Sequence, residues 1–235
     1  MLIRLVFTVR AIHSAPVQRV HDSLAGRYER ATLAYLCSCM PSWIKSDGLT
    51  ALGLAGAMLT CLGDWLGCFH IGLMWLAIAG LFFNWLGDSL DGTLARYRGA
   101  ERPQYGFFLD HTIDGFAMAF VAIGVGLSPM AHLQTAMFAL ICYYLVVISS
   151  LTTCLATGVF RVSFGGVGPT EVRLGITAAT LAAIFLPIPS VAIMGVHVTL
   201  YDFLVGAFAA GLAITAIIHT AITASKLAKI DPPRA

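Results

Sequence analysis

The chain has 235 residues, of which 58% are apolar and 11% charged, and its mean hydropathy is +0.84. This balance excludes an ordinary soluble globular domain. The formal net charge of +2 comes without a long basic run, so nothing indicates a nucleic-acid partner. A membrane helix needs about 20 apolar residues, which leaves room for about six spans and little else.

The N-terminal part of the chain predicts a helix that lies in the membrane interface. Over residues 18–40, apolar side chains recur at helical spacing and four charged side chains share the other side. This pattern is typical of the boundary between lipid headgroups and acyl chains. We therefore expect an N-terminal cytoplasmic and interfacial helical segment over residues 1–45, followed by a membrane domain over residues 46–230.

Six apolar stretches of spanning length follow in the chain. They cover residues 48–69, 72–97, 106–129, 132–158, 173–195 and 202–226. The predicted fold is an all-α integral membrane protein with six transmembrane helices preceded by an amphipathic interfacial helix.

The basic residues indicate which side of the membrane is cytoplasmic. All 14 Lys and Arg lie before the first span, around the second and fourth connections between spans, or after the last span. The other three connections have none. With an even number of spans, this segregation predicts that both termini are cytoplasmic. We expect a multi-pass protein of a bacterial inner (plasma) membrane.

Four of the 12 acidic residues lie where the second and third spans meet the cytoplasmic side. Asp88 and Asp91 are three residues apart and Asp110 and Asp114 are four apart, so each pair projects from one face of its helix. A short connection makes the two helices antiparallel, which lets the pairs face each other. Clustered carboxylates repel unless cations neutralise them, and oxygen ligands suit Mg²⁺, Mn²⁺ or Ca²⁺. The pattern predicts a site for two divalent cations.

Small residues and an arginine accompany the aspartates. Gly92 and Gly106 lie beside them in the chain, where a missing side chain would let a ligand approach closely. Arg96 follows Asp91 by five residues and could neutralise phosphate charge. Metal-binding carboxylates, small residues and an arginine together favour a pyrophosphate substrate.

These residues form one extended pattern. Asp88-Ser-Leu-Asp91-Gly92-Thr-Leu-Ala95-Arg96, then Gly106-Phe-Phe-Leu-Asp110-His-Thr-Ile-Asp114, resembles the signature of the CDP-alcohol phosphotransferase family. Nine residues separate Arg96 from Gly106, where eight is usual. Upstream, Ser46-Asp47-Gly48-Leu49-Thr50 resembles the family's Pro-Asn-x-Leu-Thr segment, with Ser46 and Asp47 in place of Pro and Asn.

The resemblance implies a role for each signature residue. Asp88, Asp91 and Asp110 would ligate metal, and Asp114 would ligate metal or serve as the catalytic base. Gly92, Ala95 and Gly106 would make room for cytidine, and Thr50 and Arg96 would also contact the nucleotide or its pyrophosphate.

The implied reaction is metal-dependent transfer of a substituted phosphate group from a CDP-alcohol to a hydroxyl acceptor, with release of CMP, in phospholipid biosynthesis. Two Mg²⁺ or Mn²⁺ ions would bridge the pyrophosphate, and Asp114 would take the proton of the incoming hydroxyl. The active site would face the cytoplasm. Homodimers are typical of the family, although no feature of this sequence establishes one.

The connection between the fourth and fifth predicted spans is the candidate acceptor site. It is rich in glycine and holds Arg161, Glu171 and Arg173, as a simple solvated loop also could. In family members that use a phosphorylated polyol, arginines of this region hold the phosphate. Asp110-His111 and residues 170–172 instead resemble the choline and ethanolamine phosphotransferases, whose acceptor is diacylglycerol.

Two assignments of the substrates therefore stay open. CDP-diacylglycerol could donate to a polar alcohol, with Arg161 and Arg173 at the acceptor. A CDP-choline or CDP-ethanolamine type of donor could instead react with diacylglycerol. His111 would then contact the headgroup or act as a base beside the metal ligands, and Glu171 would belong to the acceptor site.

A divalent-cation transporter is the alternative from another class, because intramembrane carboxylates also line ion paths. It does not account for Gly92, Ala95, Arg96 and Gly106 at these spacings. A pore would also need acidic residues deeper in the membrane or on both sides. A CMP-dependent reverse reaction would distinguish the enzyme from a transporter.

Overall fold

The computed structural model describes residues 18–20, 26–161, 168–193 and 195–231, and their side chains over 31–159, 168–193 and 195–231. Most of these residues are helical. The helices are α1 Gly26–Cys39, α2 Ser46–Leu66, a 3₁₀ turn Ile71–Met74, α3 Trp75–Tyr97, α4 Pro103–Leu127, α5 Leu133–Thr157, α6 Pro169–Phe185 and α7 Leu200–Ile230. Strand β1 Gln18–Val20 pairs in parallel with β2 Val159–Arg161, and β3 Ser190–Ile193 pairs antiparallel with β4 Val196–Thr199.

Five helical segments are long and apolar enough to cross a membrane, which confirms a multi-pass, mostly helical membrane protein. They are α2, the 3₁₀ turn with α3, α4, α5 and α7. Helix α6 has 17 residues, a length of about 26 Å, against a hydrocarbon core of about 30 Å. The sixth span therefore stays a prediction.

The predicted span over residues 173–195 has the wrong boundaries. The helix begins earlier, at Pro169, and ends at Phe185. Pro187 and Pro189 follow directly, and proline removes a backbone donor and disfavours helix in the residue before it. The chain then enters the β3–β4 hairpin, whose base is closed by Leu200 N donating to Pro189 O at 2.9 Å.

Helix α1 packs on the ends of α2 and α3 that carry the signature residues. Leu33 and Cys37 are buried there against Leu49, Leu90 and Leu94, and burial raises the pKa of the Cys37 thiol. Arg98 fixes the connection to α2 by donating to the backbone carbonyls of Met40, Pro41 and Ile44. A location of α1 in the membrane interface stays a prediction.

Glycines bring α2 and α3 into backbone contact. A Cβ at Gly56 would lie 2.7 Å from the carbonyl oxygen of Gly80, and one at Gly80 would lie 2.6 Å from that of Gly56. Small residues at helix crossings allow this close approach in membranes. On its other side α2 meets α4, where a Cβ at Gly124 would lie 2.7 Å from Cys61 Cα. Helix α2 thus lies between the two helices that carry the aspartates.

Candidate active site

Three predicted aspartates meet between α3 and α4. Asp88 from α3 and Asp110 and Asp114 from α4 each offer a carboxylate oxygen, and these oxygens all lie within 4.8 Å of one another. The side chains are half-buried. The helical spacing and the antiparallel arrangement of α3 and α4 therefore place these carboxylates as the sequence predicts, and the group could hold a metal ion.

Asp91 lines one small cavity together with the other three aspartates, and hydrogen bonds from neighbouring residues hold its carboxylate. Its Oδ2 accepts from Thr50 Oγ1 at 2.7 Å and its Oδ1 accepts from Gly92 N at 2.5 Å. Its backbone oxygen accepts from Ser46 Oγ at 2.9 Å. Ser46 and Thr50, at the start of α2, therefore fix Asp91 toward the other aspartates.

Arg173 reaches the aspartates from α6. Its side chain is buried, with Nη1 2.7 Å from Asp88 Oδ2 and Nε donating to Asn84 Oδ1 at 2.8 Å. Sequence analysis placed Arg173 in a loop, and this is wrong, because α6 begins four residues before it. Arg161 belongs to β2, and its side chain lies outside those that the structure describes.

Asn84 is a site residue that sequence analysis missed. It is 3% exposed and lies one helical turn before Asp88. Its Nδ2 donates to Gly53 O at 2.9 Å while its Oδ1 accepts from Arg173. Both ends of the amide are thus fixed, which orients the guanidinium. A polar residue in an apolar span, on the face of Asp88, is the signal that could have identified it.

Tyr144 supports the helix that carries Asp110 and Asp114, and sequence analysis did not single it out. Its hydroxyl donates to Gly115 O at 2.9 Å, and this bond ties α5 to α4 next to Asp114. Nothing in the apolar pattern of α5 singles out this tyrosine.

His111 and Glu171 contact their own helices. His111 Nδ1 lies 2.8 Å from Phe107 O, and the ring stacks on Phe107 at 4.2 Å between centroids. The same nitrogen is 3.7 Å from Asp110 Oδ2. Glu171 Oε2 accepts from Gly168 N at 2.9 Å at the start of α6, which is the position where an acidic side chain stabilises a helix. A role of either residue toward the acceptor stays a prediction.

The remaining signature residues line the exposed ends of α3 and α4. Arg96 is exposed, with Nη2 3.2 Å from Thr93 Oγ1, and its Nη1 would lie 3.4 Å from a Cβ at Gly92. No atom of the described chain lies within 4 Å of the place of a Cβ at Gly106. Ala95 is half-buried beside Arg96. This arrangement leaves space for a ligand next to the aspartates.

An exposed ion pair joins the start of α2 to the start of α4. Asp47 binds Arg102, whose guanidinium lies 4.0 Å from the centre of the Tyr105 ring. The hydrogen bond to Asp47 raises the pKa of the Arg102 guanidinium. Asp47, which replaces an asparagine of the family pattern, thus connects the two helices that flank the site.

Two further aspartates lie at the opposite end of the bundle, apart from each other. Asp202 accepts from His132 N at 2.7 Å and from Thr199 N at 3.0 Å at the start of α7. Asp64 in α2 is 0% exposed, and neither carboxylate oxygen has a hydrogen-bond partner among the described residues. Over the described residues, the carboxylates close enough to share an ion are those of Asp88, Asp110 and Asp114.

Comparison with known proteins extends the similarity beyond the signature. A model of the CDP-alcohol phosphatidyltransferase family matches residues 43–222. The phosphatidylinositol phosphate synthase of Cutibacterium acnes is 38% identical over 86 residues, which are 36% of this chain and 38% of that relative. The alignment thus spans well under half of the relative. Because the family model covers more than half of the sequence and includes every signature residue, the chain belongs to the CDP-alcohol phosphatidyltransferase family.

Proposed function

We propose that this protein transfers a phosphatidyl group from CDP-diacylglycerol to the hydroxyl of a phosphorylated polar alcohol, releasing CMP. The observation that carries the proposal is the buried guanidinium of Arg173 beside the aspartate cluster, 2.7 Å from Asp88. A fixed arginine next to a metal-binding group suits a substrate phosphate. The name of the C. acnes relative also refers to a phosphorylated polyol lipid.

The carboxylates fit a divalent cation. Oxygens bound to one Mg²⁺ lie within about 4 Å of each other, and those of Asp88, Asp110 and Asp114 lie within 4.8 Å. Small side-chain rotations would close this gap. We propose that these three residues and Asp91 hold two Mg²⁺ or Mn²⁺ ions. The bound ions would neutralise charge on the pyrophosphate and on the departing CMP.

The protein's own side chains bind and orient the acceptor and move a proton. Arg173, held by Asn84, binds the phosphate of the acceptor and sets the direction of its hydroxyl. Asp114 takes the proton of that hydroxyl. The hydroxyl oxygen attacks the phosphorus distal to cytidine, and the bond from this phosphorus to the oxygen of CMP breaks. Much of the rate enhancement then comes from positioning and electrostatics.

The nucleotide lies along the exposed ends of α3 and α4. Gly92, Ala95 and Gly106 leave room for cytidine, and Arg96 faces the pyrophosphate. Thr50 acts through Asp91, whose carboxylate it holds at 2.7 Å.

We propose that the aspartate end of the bundle faces the cytoplasm of a bacterial cell, at its inner membrane. The segregation of all 14 Lys and Arg supports this orientation. The two-part organisation, residues 1–45 as an interfacial segment and 46–230 as a six-span domain, belongs to the same proposal.

Release of CMP by the purified protein in detergent with Mg²⁺ or Mn²⁺ tests the proposal. CDP-diacylglycerol is offered with a polyol such as inositol and, separately, with the phosphate ester of the same polyol. We expect metal-dependent CMP release with the phosphate ester only. CDP-choline or CDP-ethanolamine with diacylglycerol is the matched alternative, and CMP release there would overturn the donor assignment. Metal flux into vesicles without CMP release in any mixture would favour a transporter.

A further inference from the structure

The β3–β4 hairpin has an apolar face and a more polar face. Opposite residues of an antiparallel pair point to the same side of the sheet, as do residues two apart in one strand. The pairs Val191↔Val198 and Ile193↔Val196 therefore share one face. The opposite face carries Ser190, Ala192, His197 and Thr199. Sequence alternation along both strands thus separates four β-branched apolar side chains from small and polar ones.

Three of the four side chains of the apolar face are exposed over the described part of the chain, and Val198 is half-buried. Val191, Ile193 and Val196 are 61%, 44% and 52% exposed, and neither they nor Val198 belong to a buried cluster of the described chain. A two-stranded hairpin is marginal in water unless one face packs on another surface. Something outside the described chain must therefore cover this face.

The position of the hairpin identifies that cover. The hairpin starts five residues after Phe185. The Phe185 ring contacts the Trp75 ring edge-on, with 6.2 Å between the ring centroids. Trp65 and Phe69 form a second edge-on contact at the same end of the bundle, with 5.6 Å between the ring centroids. Exposed aromatic side chains at helix ends are typical of the membrane–water boundary. The hairpin, bounded by α6 and α7, is therefore at the level of the lipid headgroups.

The apolar face also continues the surface that faces lipid. Phe185, Leu186 and Leu200, at the two ends of the hairpin, are 71%, 62% and 48% exposed. Helix α6 is about 4 Å shorter than a hydrocarbon core of about 30 Å. The end of α6 therefore lies near the boundary between acyl chains and headgroups, where the hairpin follows it in the chain.

We infer that the β3–β4 hairpin lies flat in the boundary between headgroups and acyl chains at the end opposite the aspartates, with Val191, Ile193, Val196 and Val198 toward the acyl chains. The two outer strand edges carry backbone N–H and C=O groups that need water, which excludes a position within the hydrocarbon. Burial of the four side chains fixes the hairpin to the bilayer surface.

Photo-crosslinking of the full-length protein in lipid vesicles tests this inference. A photoreactive diazirine amino acid replaces Val196 in one variant and His197, on the opposite face of the same strand, in the matched control. We expect several-fold more lipid adduct at position 196, detected by mass spectrometry. Equal lipid adduct at both positions, or capture of a second copy of the chain from position 196, would overturn the inference.

A second pair of variants, with the probe on β3, tests whether a folding defect at β4 explains the result. The same probe is placed at Val191 and at Ala192, which lie on opposite faces of β3. The inference requires the same preference for lipid at position 191, and its absence there would contradict it.

Discussion

Arg173 of α6 is buried and forms an ion pair with the half-buried Asp88 of α3, with Nη1 2.7 Å from Oδ2. A buried charge is costly unless it is paired and hydrogen-bonded, and Asn84 supplies the additional bond to Nε. These contacts connect the first turns of α6 to the aspartate cluster and hold the guanidinium beside it.

Arg173→Lys should raise the KM of the phosphorylated acceptor about 10- to 100-fold, the effect of losing about 1.5–3 kcal/mol from a charge-assisted hydrogen bond. Lysine keeps the charge but lacks the planar fork and the Nε donor. Initial rates of CMP release at varied acceptor concentration measure the change. Arg102→Lys, at an exposed ion pair, is the control and should leave this KM near its original value. An unchanged KM in Arg173→Lys would remove Arg173 from the acceptor site.

Asn84→Ala should also raise the acceptor KM, because the amide no longer orients the guanidinium. If Asn84 acts through Arg173, the substitution should have little further effect in the Arg173→Lys background. The coupling free energy that a double-mutant cycle measures is about 0.5–3 kcal/mol for residues in contact. The measurement is the acceptor KM of both single variants and of the double variant. Additive effects would show that Asn84 acts independently.

Asp110→Asn should weaken Mn²⁺ binding at least about tenfold, since a carboxylate ligand is replaced by a neutral amide. Titration of the purified protein with Mn²⁺, followed by electron paramagnetic resonance, measures binding without any turnover. Asp47→Asn is the matched control, because Asp47 is exposed and paired with Arg102. Equal Mn²⁺ affinity in the two variants would place the metal elsewhere.

The aspartate cluster could be predicted because local geometry determines most of it. Helical spacing within each pair and the short connection between α3 and α4 bring the carboxylates together. The contact between Asp88 and Arg173 could not be predicted, because 85 positions separate the two residues in the chain. The direction of the arginine also depends on where α6 begins, at Pro169. Thr50 was expected at the nucleotide, and only the packing of α2 on α3 shows that it holds Asp91.

The hairpin shows why a spanning helix was predicted where the chain forms two strands. Residues 173–195 are apolar enough for a span, and mean hydropathy does not separate a helix from strands rich in Val and Ile. Pro187 and Pro189 were the available signal, since they end α6 after 17 residues.

Gly56→Ala should destabilise the protein by about 1–3 kcal/mol, the usual cost of overpacking. The new Cβ would lie 2.7 Å from Gly80 O and 2.9 Å from Phe83 C, so α2 and α3 would have to separate. Thermal unfolding in one detergent measures the loss. Gly206→Ala in α7 is the control, because no described residue has an atom within 4 Å of its Cβ position. That variant should be neutral or gain up to about 1 kcal/mol from the better helix propensity of alanine. A destabilised control would point to a partner packed on α7.

Asp64 and Asp202, both buried at the end of the bundle away from the cluster, should respond in opposite ways to alanine. Asp202→Ala removes bonds to His132 N, His132 Nδ1 and Thr199 N, and should cost about 2–3 kcal/mol. Asp64→Ala removes a carboxyl whose oxygens have no hydrogen-bond partner in the part of the chain that the structure describes. Because an unsatisfied buried polar group costs about 1–3 kcal/mol, this variant should be as stable as the original or more stable.

Thermal unfolding of both variants in the same detergent makes the comparison, with CMP release as a check that each is folded. Helix propensity favours alanine over aspartate at position 64, in the interior of α2. At position 202, in the first turn of α7, the loss includes the capping and helix-dipole interactions of the carboxylate. A lower unfolding temperature for Asp64→Ala would mean that Asp64 meets a polar partner within the membrane. The buried carboxyl would then be a stabilising group, and its partner would have to be found around Gly124, whose Cβ position lies 3.1 Å from Asp64 Oδ2.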